Sequence, residues 1–133
     1  MSYGSRVVIA DPPVVARLRA ELTSQIAAPL TVSATSKQYY FDEDHAAYNE
    51  IEVRQGEVFA MVVVRGALPS EEFVVRVWHR YADEVWLLDS VEQVVFVVPR
   101  EGEIRVFEVG ETLRSPRLPD VAIAVSAVFG ILN

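Results

Sequence analysis

RYADEVWLLDSVEQVVFVVPREGEIRVFEVGETLRSPRLPDVAIAVSAVF, residues 80–129, is the stretch on which the fold turns. Its first apolar block, Glu84 to Asp89 (EVWLLD), has no polar alternation and reads as a strand covered on both faces. Val94 to Val98 and Ile104 to Val109 are two further strands, joined by a turn at Arg100-Glu101-Gly102. Leu113 to Pro119 is punctuated by proline and predicts a loop. Val121 to Val125 reads as a short extended piece, and Ser126 to Leu132 as a final helical turn.

Upstream, the pattern changes period. Asp11 suits an N-cap and Pro12 a first helical position. Val14, Leu18, Leu22 and Ile26 recur every four residues, with Val15 beside them, while Arg17, Arg19 and Glu21 fall elsewhere. This predicts an amphipathic helix from Pro12 to Ala28, stopped by Pro29. Extended structure follows from Leu30, with a strand over Lys37 to Phe41. Tyr48 to Arg54 and Glu57 to Val64 read as a hairpin around Gln55-Gly56. The apolar run Val58 to Val64 predicts a central strand. Ser70 caps a second helix, whose stripe is Phe73, Val74, Val77, Trp78 and Tyr81.

The chain of 133 residues fits one domain. A domain of that size buries roughly two-thirds of its unfolded surface. Half of the residues are hydrophobic, so one core is feasible without metal or disulfide staples. No cysteine is present, which excludes disulfides, thiolate metal sites and a cysteine nucleophile. No segment reaches the roughly 18 apolar residues of a membrane span. Met1 to Ala10 has one Arg and only a short apolar run, unlike a signal peptide. The expected location is the cytoplasm, with no membrane partner. The formal charge is −7, with 11 Arg and one Lys, Lys37. Basic residues occur as pairs at most, not as the patch a phosphate backbone selects. A protein partner is expected ahead of nucleic acid.

The order is helix, three strands, helix, strand, then a β-rich tail. That αβββαβ order is the core order of the PD-(D/E)xK nuclease fold. The segment Arg80 to Phe129 resembles the C-terminal half of the Uma2 family of restriction-endonuclease-like proteins. The matching residues are Trp86, Leu87 and Asp89, then Gly110, Leu113, Ser115, Pro116, Leu118, Pro119, Val121 and Phe129. The resemblance implies an α/β (α+β) fold, with a restriction-endonuclease-like αβββαβ core in residues 1–89 and a C-terminal β-rich extension in residues 90–133. It also implies a homodimer.

The resemblance further implies a metal-dependent nuclease site, and here the chain departs from the family. Carboxylates would hold Mg²⁺ or Mn²⁺ to activate a water, and a lysine would assist. The family's first Pro-Asp pair falls on Asn49-Glu50 and its second on Phe59-Ala60. The Glu four residues later falls on Val64, and the helix lysine on Phe73 or Val77. No shift of a residue or two restores the site, because Val58 to Val64 contains no acid. The expectation is a catalytically degenerate, non-cleaving domain with a binding, scaffolding or regulatory role and no cofactor. The alternative is an active Mg- or Mn-dependent DNA endonuclease with a relocated site. Its catalytic candidates are Glu50 and Glu52, and its metal ligands Glu50, Glu52 and Glu57 across the hairpin.

Other groups carry less chemistry. Glu50 and Glu52 also read as ordinary solvent-facing acids on a sheet edge. Asp42, Glu43, Asp44 and His45 lack the spacing of a calcium loop. His79 has only Asp83 as a partner one turn away. A third expectation is a small-ligand module with an aromatic pocket near Tyr39, Trp78 and Trp86. Exposed strands such as Val94 to Val98 would need a cover, which a symmetric dimer supplies.

Overall fold

The computed structural model describes residues 7–8, 12–40, 46–64, 82–90 and 92–131. The predicted helix at Ser70–Tyr81, with its lysine positions Phe73 and Val77, Trp78 and His79, lies outside them. So do Asp11 and the acidic loop at Asp42–His45.

The elements run β1 (Val7–Val8), α1 (Pro12–Gln25), β2 (Thr31–Tyr40), β3 (Ala46–Gln55), β4 (Glu57–Val64), β5 (Glu84–Asp89), β6 (Val94–Pro99), β7 (Arg105–Glu108), β8 (Thr112–Arg114), β9 (Ala122–Ala124) and α2 (Val125–Phe129). Among the described residues the first seven strands form one sheet in the order β1-β3-β4-β5-β6-β7, with β2 also on β3. β4 and β5 are parallel neighbours; the β2–β3, β3–β4, β5–β6 and β6–β7 pairs are antiparallel. β8 and β9 make a small second sheet. The main sheet therefore runs through the expected core boundary at residue 89.

The hairpin turns at Gly56, whose φ of 76° is a left-handed value that glycine adopts without steric cost. β2 is longer than the strand expected at Lys37–Phe41. Its polar first half, Thr31 to Ala34, pairs with Ile51 to Arg54, so the stretch expected to be extended from Leu30 is strand from Thr31, with its backbone groups satisfied by the ladder. α1 ends three residues before Ala28. There the Gln25 side chain turns out to grip Ala122: its Oε1 accepts from the Ala122 N–H at 2.7 Å and its Nε2 donates to the Ala122 carbonyl at 2.9 Å. Leu113 and Arg114, the first two residues of the expected loop at Leu113–Pro119, belong instead to β8, which pairs with Ala122 to Ala124.

The apolar stripe of α1 (Val14, Leu18, Leu22) is buried against α2 and the sheet residues Ile51 and Val53. Each such side chain contributes roughly 1.5–3 kcal/mol on burial. Arg17 on the same helix donates from Nε to the Val128 carbonyl at 2.9 Å, satisfying an end of α2 that has no further helical partner. Gly130 follows with φ 68° as a left-handed C-cap. β5 is buried from Glu84 through Leu88, so both of its faces are covered as predicted. β6 is not an exposed strand: β5 and β7 flank it, and Val95, Val97 and Val98 are buried. Among the described residues, the strand that ends this side of the sheet with an unpaired outer edge is β7. Among the described residues no helix is long and apolar enough to cross a membrane.

Candidate functional site

The hairpin β3–β4 is where the family's acids would stand. Asn49 pairs with Val63 but Ile51 with Val62, so Glu50 is an extra residue on β3. Val53 pairs with Ala60 but Arg54 with Val58, so Phe59 is an extra residue on β4. Both are β-bulges, which kink a strand and re-aim its side chains. They coincide with the two Pro-Asp positions of the Uma2 pattern. Proline cannot donate to a ladder and is confined within sheets to edges and bulges. Asn49 and Phe59 stand where that pattern has its prolines.

Glu50 is half-buried, and burial pushes its carboxyl pKa up from the ordinary glutamate range. Glu52 is 4 % exposed. Its carboxylate lies 3.5 Å from the Arg54 guanidinium. It sits in mid-sheet between Ser33 and Met61, so it is not a solvent-facing acid on an edge. The expectation failed because β2 covers the outer side of β3 along nearly all of its length. Glu57 pairs with Gln55, five residues along the strand from Glu50. At strand spacing that is about 17 Å, too far to share an ion with Glu50. No cluster of three potential metal ligands occurs among the described residues. Ala60 and Val64 stand at two acid positions and Glu52 faces a guanidinium, so among the described residues the hairpin keeps few of the several oxygen ligands that Mg²⁺ or Mn²⁺ takes.

Of the aromatic candidates, Tyr39 and Trp86 are among the described residues, and these two stand apart. Trp86 is 1 % exposed, in the row Val97–Trp86–Val62–Ile51–Ala34. Tyr39 pairs with Ala47, three strands across from Trp86 and four residues along β3 from Ile51. Sheet spacings put the two backbones about 20 Å apart. Two open pockets lie among the described residues. One, of about 320 Å³, is lined by Asp83, Pro99, Arg100, Glu101, Pro116 and Arg117. The other, of about 280 Å³, lies between the end of α1 and residues 117–121. Among the described residues neither is lined by an aromatic side chain.

A polar cluster that the sequence reading missed centres on Glu84, which is fully buried. The Trp86 indole N–H donates to its Oε1 at 2.6 Å, and the Ser115 hydroxyl donates to the same oxygen. Ser115 Oγ in turn accepts from the Leu118 N–H at 3.1 Å. Among the described residues Glu84 Oε2 has no hydrogen-bond partner. Next door, Asp83 binds Arg117 at 3.1 Å and Arg100 at 3.5 Å. These contacts fasten the loop after β8 to the start of β5. The signal was present in the quoted stretch: an acid and a tryptophan two apart share a strand face. Trp86, Ser115 and Leu118, residues that carry the resemblance, thus hold the architecture together.

Comparison with solved structures gives the same outline. The chain superposes on a protein from Anabaena variabilis ATCC 29413, described as a "putative nuclease belonging to DUF820", with a TM-score of 0.64. The match covers 90 % of this chain and 79 % of the other, at 16 % identity. The fold is restriction-endonuclease-like. The DUF820 neighbour is of the Uma2 type, so the resemblance seen in residues 80–129 holds at the level of fold. No protein-family model matches the chain, and no curated protein does.

Proposed function

We propose that this chain is a non-cleaving form of the restriction-endonuclease-like fold, acting by binding, as a scaffold or regulator, rather than by hydrolysis. The observation that carries this reading is the β3–β4 hairpin. Its two bulges fall within the family pattern's two Pro-Asp pairs, one on the acid position at Glu50 and one on Phe59 just before the second, yet β4 from Ala60 to Val64 carries no carboxylate. Glu52 is beside Arg54, and Glu57 lies a strand's length from Glu50. Losing one preorganised charge stabiliser costs about 10²–10³ in rate, and here two carboxylates are missing together. Such losses do not simply add, but little hydrolysis survives them.

The reading includes a cytoplasmic protein that self-associates as a homodimer, with a protein rather than nucleic acid as its other partner. The net charge of −7 supports the last point, because phosphate backbones repel an acidic surface. The test is incubation of the purified chain with supercoiled and linear DNA in Mg²⁺ or Mn²⁺, together with calorimetric titration of each ion. No cleavage and no tight metal binding are expected. Cleavage that disappears in Glu50→Ala would overturn the proposal and establish the relocated-site nuclease. Light scattering reads the dimer directly; a monomer at micromolar concentration removes that part.

A further inference from the structure

β7 closes one side of the main sheet, and among the described residues no strand pairs with its outer edge. The direction of its backbone groups follows from the turn after it. The Glu108 N–H donates to the Glu111 carboxylate at 2.9 Å, and the Glu108 carbonyl accepts from the Glu111 N–H at 2.9 Å. Glu108 therefore faces away from β6. Residues two apart in a strand direct their N–H and C=O groups to the same side, so Val106 presents its own pair to the open edge.

The side chains there are apolar. Ile104 (41 %), Val106 (50 %) and Val109 (36 %) are the exposed large hydrophobic residues among those described, and all lie on or beside this one strand. Val106 pairs with the partly buried Phe96 on β6, which extends the apolar surface inward. A charged rim surrounds it. Residues 101–111 carry Glu101, Glu103, Glu108 and Glu111 against the single base Arg105, all of them exposed.

We propose that the open edge of β7 docks an extended, basic peptide segment of another protein, which adds to the sheet as a further strand. The inference rests on the binding role proposed above and names the chemistry of the partner. Main-chain bonds to Val106 supply the pairing, and alternate apolar side chains cover Val106 and Ile104. Lysine or arginine residues between them meet the glutamate rim. That rim selects the occupant: a second copy of β7 would bring the same four glutamates against it, and a nucleic-acid phosphate would be repelled.

The test uses the full chain and two labelled heptapeptides, one alternating lysine with valine and one alternating glutamate with valine, read by fluorescence anisotropy at low salt. The basic peptide is expected to bind and the acidic one not. Val106→Lys, at an exposed position, should keep the far-UV spectrum and weaken binding by about tenfold or more. Added salt should weaken it too, since rim charges are screened. A Glu103→Lys/Glu108→Lys variant should transfer the preference to the acidic peptide. Equal binding of the two peptides, no binding of either, or an unchanged affinity in Val106→Lys overturns the inference. A wild-type dimer that Val106→Lys dissociates also overturns it, by assigning the edge to a second copy. DNA cleavage would overturn the preceding reading whatever the peptides do, so the two failures are distinguishable.

Discussion

Removing the Glu84 carboxylate measures how much the buried cluster holds. Glu84→Ala leaves the Trp86 indole N–H and the Ser115 hydroxyl without their shared acceptor in a site closed to water. An unsatisfied buried polar group costs about 1–3 kcal/mol, so the two together cost about 2–6 kcal/mol. Glu84→Gln keeps an oxygen at the Oε1 position and the shape of the side chain. Its amide nitrogen replaces Oε2, which has no partner to lose among the described residues. The glutamine variant should therefore cost about 1–3 kcal/mol less than the alanine one. Ser115→Ala removes one donor to Glu84 and also the acceptor for the Leu118 N–H. The double variant Glu84→Ala/Ser115→Ala should cost less than the sum of the two single ones, because the shared bond is counted in each. Urea unfolding followed by tryptophan fluorescence reads all four values. A domain of this kind has only about 5–15 kcal/mol of total stability, so the alanine variant should move the midpoint plainly. Equal costs for Glu84→Ala and Glu84→Gln, or a loss below about 0.5 kcal/mol for both, would show that the cluster contributes no hydrogen-bond stabilisation.

Two further outcomes follow from the same structure. At Gly130 an added Cβ would meet the Arg17 guanidinium carbon at 2.8 Å, on a backbone with φ 68°. Gly130→Ala should cost about 1–2 kcal/mol for the left-handed conformation, plus the displaced Arg17–Val128 bond. In an Arg17→Ala background only the first part should remain, and identical costs in both backgrounds would refute the contact. For Glu50, burial raises the folded-state pKa, so the fold prefers the protonated carboxyl. The penalty is absent below the ordinary glutamate range and is fully present once pH exceeds the raised value. Glu50→Gln should therefore stabilise the protein at pH 7, with the gain fading as pH falls below that range. A gain that does not vary with pH in denaturant titrations would refute the assignment.

Period and punctuation along the chain were enough to place most elements. The four-residue spacing of Val14, Leu18 and Leu22 marked α1, and the unbroken apolar block at 84–89 marked a strand buried on both faces. Gln55-Gly56 marked the hairpin turn, and the lack of any acid in Val58–Val64 is a property of the sequence that no folding can change. These are local signals, set by side-chain type and spacing within a few residues.

Tertiary structure decided what each side chain meets. Glu52 reads as a surface acid until β2 closes over β3. Ser115 and Glu84 are 31 residues apart, and nothing in either neighbourhood announces that they hydrogen-bond. The bulges at Glu50 and Phe59 come from the register of two paired strands, and the open edge of β7 from where the sheet stops. Burial, register and edges are relations between distant segments, and a single strand's pattern does not contain them.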